Sequence, residues 1–359
     1  MSESVLAALA ALPGMSSRRL AHLLDGRTVA EAWVLVLAGN ASPPVVPKEH
    51  SARWASQLAR IELDEISARL AKLKCRVTSW HDDDHPRRFR DDIDPAPVLF
   101  RCGELPGPTT PTVGIVGTRR CSGAGKEIAY ELGASLSEAG VSVVSGLALG
   151  VDGAAHRGAV AAGGARPVAV VGSGIDVVYP ARHRELWEKV AAAGCVCTEA
   201  PLGAEPEPWR FPARNRLIAA ISDLIVVVES RSVGGSLLTV DEAVRRGVDV
   251  MAVPGSVKNG AAAGTNQLLV DGCAPVRGAD DVLMALGLAT IDSATRRSGE
   301  RPPPSGDTGT VFAAIDDGPT SVDEIVDYSG FDLGVVYLAL ERLMTSGHIV
   351  ADGIRVRRS

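Results

Sequence analysis

Three segments place arginines, glycines and small hydroxyl residues close enough together to hold an anion. In Phe211-Pro212-Ala213-Arg214-Asn215-Arg216, two guanidinium groups flank an amide. Pro212 suits a helix's first turn, so Arg214, Asn215 and Arg216 fall just inside the N-terminus. Cations are unfavourable there because the helix dipole favours negative charge, unless an external anion sits between them. Internal pairing with Glu199 or Glu207 is the competing reading. Gly117-Thr118-Arg119-Arg120-Cys121-Ser122 runs into a second helix start near Gly125. Free N–H groups at such a terminus favour phosphate, and Arg119 can chelate its oxygens as a fork. Gly234-Gly235-Ser236 opens a third helix, LLTVDEAV, and is equally ready for an anion. Asp152 and His156 lie one helical turn apart. They could form an acid–base or metal pair, but the preferred reading has Asp152 capping the helix and His156 holding a neighbouring loop.

Other familiar chemistry is missing. Gly123 and Gly125 begin a dinucleotide fingerprint whose third glycine would fall at Ile128, and Gly172 and Gly174 begin one that fails at Val177. Gly125-Lys126 lacks the rest of a P-loop, with Arg120 in place of the leading glycine and Glu127 in place of Ser/Thr. Ser236 is followed by Leu238 where a nucleophile elbow needs glycine. The six cysteines form no C-x-x-C pair, so buried free thiols are expected rather than zinc ligands. No catalytic residue, metal or cofactor is expected.

The elements that must position these loops are legible in the apolar pattern. From 111 to about 290, strand-length apolar runs alternate with Ala-rich helical stretches: VGIVG, VSVVS, PVAVVG, CVCTE, LIVVVES and VDVMAVPG. Such runs predict a doubly wound α/β domain, a Rossmann-like parallel sheet covered on both faces. Ligands of such sheets bind beyond the carboxyl ends of the strands, where the arginine loops fall. At roughly 100–200 residues per domain, a chain of 359 should hold two or three. Residues 1–74 read as an N-terminal helical domain, with Leu6, Leu9, Leu12, Leu20, Leu23 and Leu24 at helical spacing. Residues 75–110 read as an extended connection with a short apolar strand, and 291–308 as a Pro/Gly/Ser-rich linker. Residues 309–359 outline a winged helix: three helices, the second capped by Thr320, then a hairpin around Asp352-Gly353. In that tail acidic residues outnumber basic ones, and its third helix, 332–346, carries only Arg342, which favours a protein partner over duplex DNA.

The net charge of -6 excludes a globally basic nucleic-acid binder but leaves room for a local basic patch. With 4 % aromatic residues, the pocket is expected to hold phosphates rather than stack bases, giving weak sequence preference and strong salt dependence. The N-terminus lacks a basic lead and cleavage site, and no stretch approaches ~18 apolar residues, so a cytoplasmic protein is expected.

Taken in order, IVGTRRCSGAG, VVSGLALGVDGAAH, VAVVGSGIDVVYP, TEAPLG, FPARNR, GGSLLT and AVPG followed by GTNQLL resemble the DNA-processing protein A (DprA/Smf) family over about residues 80–290. The helical N-terminus also resembles a helix-hairpin-helix (SAM-like) domain, although Ser16 stands where its second glycine is usual. The resemblance implies a single-stranded-DNA-binding recombination mediator that protects incoming DNA and helps load the recombinase RecA during natural transformation. It further implies a homodimer through the α/β domain and no cofactor. Carried over, the DNA site would comprise Gly117, Thr118, Arg119, Ser145, Gly146, Gly150, Gly172, Arg214, Asn215 and Arg216. The helix-start residues Ser122, Gly235 and Ser236 join them, with Arg182 replacing a basic residue that some members carry at Ala213. The alternative is a Rossmann-like nucleotide-processing enzyme or sensor related to phosphoribohydrolases, with Glu242 as its acid.

Overall fold

In the computed structural model the chain is described over residues 2–41, 48–288, 304–315, 320–345, 348–352 and 355–358. Its contacts separate into two units, Met1–Ala289 and Thr290–Ser359. The first opens with five helices, α1 (Ser2–Ala10), α2 (Ser17–Leu24), α3 (Val29–Leu37), α4 (Lys48–Leu58) and α5 (Leu63–Leu73). Ser16 caps α2, and Thr28 with Glu31 forms a capping box on α3; each satisfies N–H groups that a helix start leaves free. Leu6, Leu9, Leu20, Leu23 and Trp54 are buried in one cluster that continues into Leu147, Val171, Trp187 and Val196. The helices of 1–74 therefore share a core with the sheet layer.

Strand β1 (Cys75–Ser79), the short helix α6 (Arg87–Arg90) and strand β2 (Val98–Gly103) follow. The stretch expected to be mostly connection thus supplies two strands, paired antiparallel to each other and, through β2, to the main sheet. The charged run between them hides the brief CRVTS strand from a pattern reading. Next come β3 (Thr112–Val116), α7 (Gly123–Glu138), β4 (Ser142–Ser145), α8 (Val151–Ala162), β5 (Val168–Val170), α9 (Arg184–Ala193), β6 (Cys195–Thr198), α10 (Arg210–Ile221), β7 (Leu224–Val227), α11 (Gly235–Arg246), β8 (Asp249–Ala252), α12 (Ala263–Val270), β9 (Ala274–Pro275) and α13 (Ala279–Ala285).

The nine strands lie in the order β1-β2-β6-β5-β4-β3-β7-β8-β9, with every pair from β6 to β9 parallel. Alternate residues of each strand enter opposite layers. Leu224, Val226 and Val228 pack with Leu132, Leu136 and Ala155 of α7 and α8, whereas Ile225 and Val227 pack with Leu217 of α10 and Ala243 of α11. Burial on both faces explains the unbroken apolar runs. Each fully buried Val, Leu or Ile contributes roughly 1.5–3 kcal/mol. The chain builds outward from β3 through β4, β5 and β6, then crosses to β7 on the other side. A crevice forms where the order reverses, beyond the carboxyl ends of β3 and β7.

The second unit has helices Asp307–Ala313, Val322–Ser329 and Leu333–Thr345 and a three-stranded sheet, β10 (Thr320–Ser321), β11 (Ile349–Asp352) and β12 (Arg355–Arg358). Strand β12 lies between the other two. Val311, Ile325, Leu340 and Val356 form its core. Ser321, not Thr320, caps the second helix, in a capping box with Glu324; Thr320 is committed to pairing with Val356. Residues 291–303 of the expected linker 291–308 lie outside the described residues, as does the turn residue Gly353. The linker's last two residues, Asp307 and Thr308, already belong to the first helix of this unit. Among the described residues no helix is long and apolar enough to cross a membrane.

Candidate functional site

The crevice is an open cavity of about 600 Å³, and Gly117, Thr118, Arg119, Arg214, Asn215, Gly235 and Ser236 all line it. Backbone bonds tie its rim together: Thr118 N–H donates to the Glu229 carbonyl at 2.7 Å, and Val151 N–H to the Thr118 carbonyl at 3.4 Å. Gly150 sits at φ 81°, where a side chain would be strained and its Cβ would collide with the Thr118 carbonyl. Glycine there lets the start of α8 approach the loop after β3.

Arg214 is the centre of the site. Only 7 % of it is exposed, and Nη2 donates to the Gly146 carbonyl at 3.3 Å. Its Nε and Nη1 have no hydrogen-bond partner. Gly146 has no side chain because a Cβ would collide with this guanidinium. Asp152 accepts from Gly146 N–H at 3.1 Å, closing the turn. Burial raises the Asp152 pKa, opposed by the Arg214 charge; burial likewise lowers that of Arg214, opposed by Asp152. A buried guanidinium with unused N–H groups is unfavourable unless a ligand completes its bonds.

Arg119 supplies a second cation. It is exposed and lies 4.6 Å above the Phe211 ring, which packs against Tyr179 at 5.4 Å between centroids. Among the described residues it has no carboxylate partner. Two guanidinium groups and the start of α11 therefore line one cavity, an arrangement suited to a polyanion.

The family model for DNA recombination-mediator protein A matches residues 76–287. This chain belongs to that family. Protein Smf of Synechocystis is 31% identical over 313 residues, covering 77% of this chain and 78% of its own. The DNA processing protein DprA of Streptococcus pneumoniae is 37% identical over 202 residues, covering 56% of this chain and 71% of its own. A solved structure of the S. pneumoniae protein matches with a TM-score of 0.65 at 29% identity, over 78% of this chain and 95% of that one. A structure of DNA processing protein A from Helicobacter pylori, reported for its single-stranded-DNA binding mode, matches at 0.51 and 25% identity. It covers 58% of this chain and 98% of that one.

Not every residue carried over from the family faces the cavity. Arg216 is turned away: it bonds Glu199 Oε2 at 2.5 Å and the Asp94 carbonyl at 2.8 Å, with Asp94 Oδ2 at 3.2 Å. Residues two apart on a helix do not share a face, so the expected paired grip by Arg214 and Arg216 gives way to internal pairing for the latter. Ser145 donates to the Ile115 carbonyl at 2.6 Å within the core. Ser122 caps α7, accepting from Gly125 N–H at 2.9 Å and donating to Glu229 Oε1 at 2.7 Å. Asn215 Nδ2 donates to the Gly235 carbonyl at 3.2 Å, and Ser236 Oγ to Ser230 Oγ at 2.9 Å; both organise the start of α11. Gly172 lines a small adjoining cavity with Arg119 and Gly146. Arg182 is exposed on the turn Ala181–His183 and lines none of these cavities.

The Asp152–His156 pair also departs from expectation. Gly150, not Asp152, is the N-cap of α8. His156 is fully buried without a hydrogen bond of normal geometry, and burial pushes its pKa down to about 3. Loop holding falls instead to His183, whose Nδ1 lies 2.9 Å from the Leu147 carbonyl. Glu242, the acid of the alternative enzyme reading, pairs with Arg245 and Arg246 and does not line the cavity.

Two groups escaped the sequence reading. Tyr179 and Phe211 bring aromatic faces to the site despite the low overall aromatic content, and only Phe211, beside the arginines, offered a signal. Glu229, an acid at the end of an apolar strand, binds Ser122 and Asn259 across the loops.

Proposed function

We propose that the chain binds single-stranded DNA in this cavity and acts as a recombination mediator in natural transformation, protecting incoming strands and delivering them to RecA. The observation that carries the reading is Arg214, buried yet with Nε and Nη1 unpartnered, sharing the cavity with Arg119, which has no carboxylate salt bridge among the described residues. Family membership and the single-stranded-DNA binding reported for the H. pylori relative support it. The cations grip phosphates, and the Phe211 and Tyr179 rings add base contacts that tolerate any sequence. In this proposal the protein is a cytoplasmic binder rather than an enzyme and pairs as a homodimer through the sheet domain. The second unit, read as a winged helix, serves a protein partner, and Tyr328 and Tyr337 are exposed for it. The binding step is tested by fluorescence anisotropy with labelled oligo-dT and a duplex of equal length. Tight, salt-sensitive binding of the single strand is expected; equal affinity for the duplex would overturn the reading.

A further inference from the structure

Strands β1 and β2 meet in antiparallel register with Cys75 directly opposite Cys102. The kind of pair follows from the next strand over. Glu104 N–H donates to the Gly194 carbonyl at 2.7 Å, just beyond the pairing of Gly103 with Cys195. Alternate residues of a strand turn their N–H and C=O groups to the same neighbour, so Glu104, Cys102 and Phe100 address β6. Arg101 and Leu99 address β1, opposite Arg76 and Thr78. Cys75 and Cys102 therefore form a non-hydrogen-bonded pair, the kind whose Cα atoms stand only about 4.5 Å apart with side chains close together. Disulfides span Cα separations of roughly 4.4–6.8 Å, so the backbone already suits the bond.

The two thiols share a hydrogen bond, which lowers the Cys102 pKa and, with burial, raises that of Cys75. Their other contacts are weak, to the Leu73 carbonyl at 3.4 Å from Cys102 and the Arg76 carbonyl at 3.5 Å from Cys75. Cys75 is buried and Cys102 partly exposed. An accessible sulfur with thiolate character, beside a second thiol, is the arrangement that oxidants attack first. Of the six cysteines only these two belong to the core cluster between the N-terminal helices and the sheet. Cys195 and Cys197 flank Val196, which stands opposite Cys102, so their side chains enter the layer on the other face.

We propose that Cys75 and Cys102 are a peroxide-sensitive dithiol that closes to a disulfide and fastens the edge strand β1 to the sheet. The Cys102 thiolate attacks one oxygen of hydrogen peroxide and the O–O bond breaks. The departing hydroxide takes up the proton that the thiol released, leaving water and a Cys102 sulfenic acid. The Cys75 sulfur then attacks the Cys102 sulfur, the S–O bond breaks, and the hydroxyl leaves with the Cys75 proton as a second water. The two sulfurs give up two electrons, which the peroxide receives. In a reducing compartment, small thiols return the pair to its free form. Strand β1 is the outermost of the sheet and follows α5 directly, so the bond also ties the helices of 1–74 to β2. It encloses the segment that carries Arg88, Asp92 and Asp94, whose ion pairs reach Asp223, Arg246 and Arg216.

The experiment treats the full chain with hydrogen peroxide, alkylates the remaining thiols in denaturant and maps the peptides by mass spectrometry. Loss of two of the six alkylatable thiols and a Cys75–Cys102 cross-link that dithiothreitol removes are expected. The cross-linked protein should melt about 5 °C above the reduced one, because the closed loop restrains the unfolded chain. In Cys75→Ser the reaction should stop at a Cys102 sulfenic acid, captured by dimedone, with no rise in Tm. Six alkylatable thiols after treatment, or a link from Cys102 to any other cysteine, overturns the proposal. A cross-linked protein with the Tm of the reduced one overturns the fastening of β1.

Discussion

Arg119→Ala, Arg214→Ala and Arg216→Ala should separate DNA binding from folding, because the three arginines sit in different surroundings. Arg119 is exposed, leans on Phe211 at 4.6 Å and pairs with no carboxylate among the described residues. Its truncation should leave stability within about 1 kcal/mol. It should also remove one charge-assisted phosphate contact worth ~1.5–3 kcal/mol, or roughly 10- to 150-fold in affinity. Each single-strand phosphate contact contributes about -0.7 to the slope of log K against log salt, so the slope should flatten by about 0.7. Arg216 is the converse case. It is 8 % exposed and holds Glu199 and Asp94, so Arg216→Ala leaves a buried carboxylate uncompensated, at a cost of about 3–5 kcal/mol. The salt slope of the folded fraction should not change. Arg214→Ala should show both effects, since it loses a ligand contact and strips Asp152 of its countercharge. Anisotropy titrations between ~50 and ~500 mM salt, paired with urea unfolding of each variant, read both quantities. An Arg119→Ala protein with wild-type affinity and slope would refute the placement of the phosphate site. So would a folded Arg216→Ala protein with a flattened slope.

Gly146→Ala should displace the Arg214 guanidinium, because the added methyl would occupy its place. An affinity loss of about tenfold or more for oligo-dT is expected, and unchanged affinity would show that Arg214 does not touch the strand. Stability should also depend on pH through His156, whose pKa is pushed from 6.5 down to about 3 by burial. The unfolded chain binds the extra proton between those values, so the contribution is full above pH ~6.5 and is lost as pH falls towards ~3. Between pH ~7.5 and ~5.5 the wild type should lose about 1.4 kcal/mol more than His156→Leu, measured by urea unfolding. The comparison isolates His156 from Asp152 and Glu199, whose raised pKa values act in the opposite sense. Equal losses in the two proteins would contradict a buried neutral imidazole.

Much of this architecture is local information. Apolar runs such as Val113–Val116 and Leu224–Val228 are buried on both faces, so their composition alone announces a covered parallel sheet. The loops that follow them then had to meet at the strands' carboxyl ends. GTRR and FPARNR were visible as anion-seeking segments because residue type and helix-start position decide that chemistry. Which arginine faces the ligand was a different question. Arg214 and Arg216 are two residues apart and chemically identical, and only the docking of α10 against the sheet turns one to the cavity and the other to Glu199 and Asp94. The same holds for Tyr179, brought onto Phe211 from a separate loop, and for Ser122 and Ser145, whose hydroxyls are spent on Glu229 and the Ile115 carbonyl. The amino-acid sequence by itself determined the sheet and the loops at its rim, with the arginines and glycines they carry. The tertiary structure decided which polar atoms remain unpartnered, because that depends on long-range packing that no local spacing encodes.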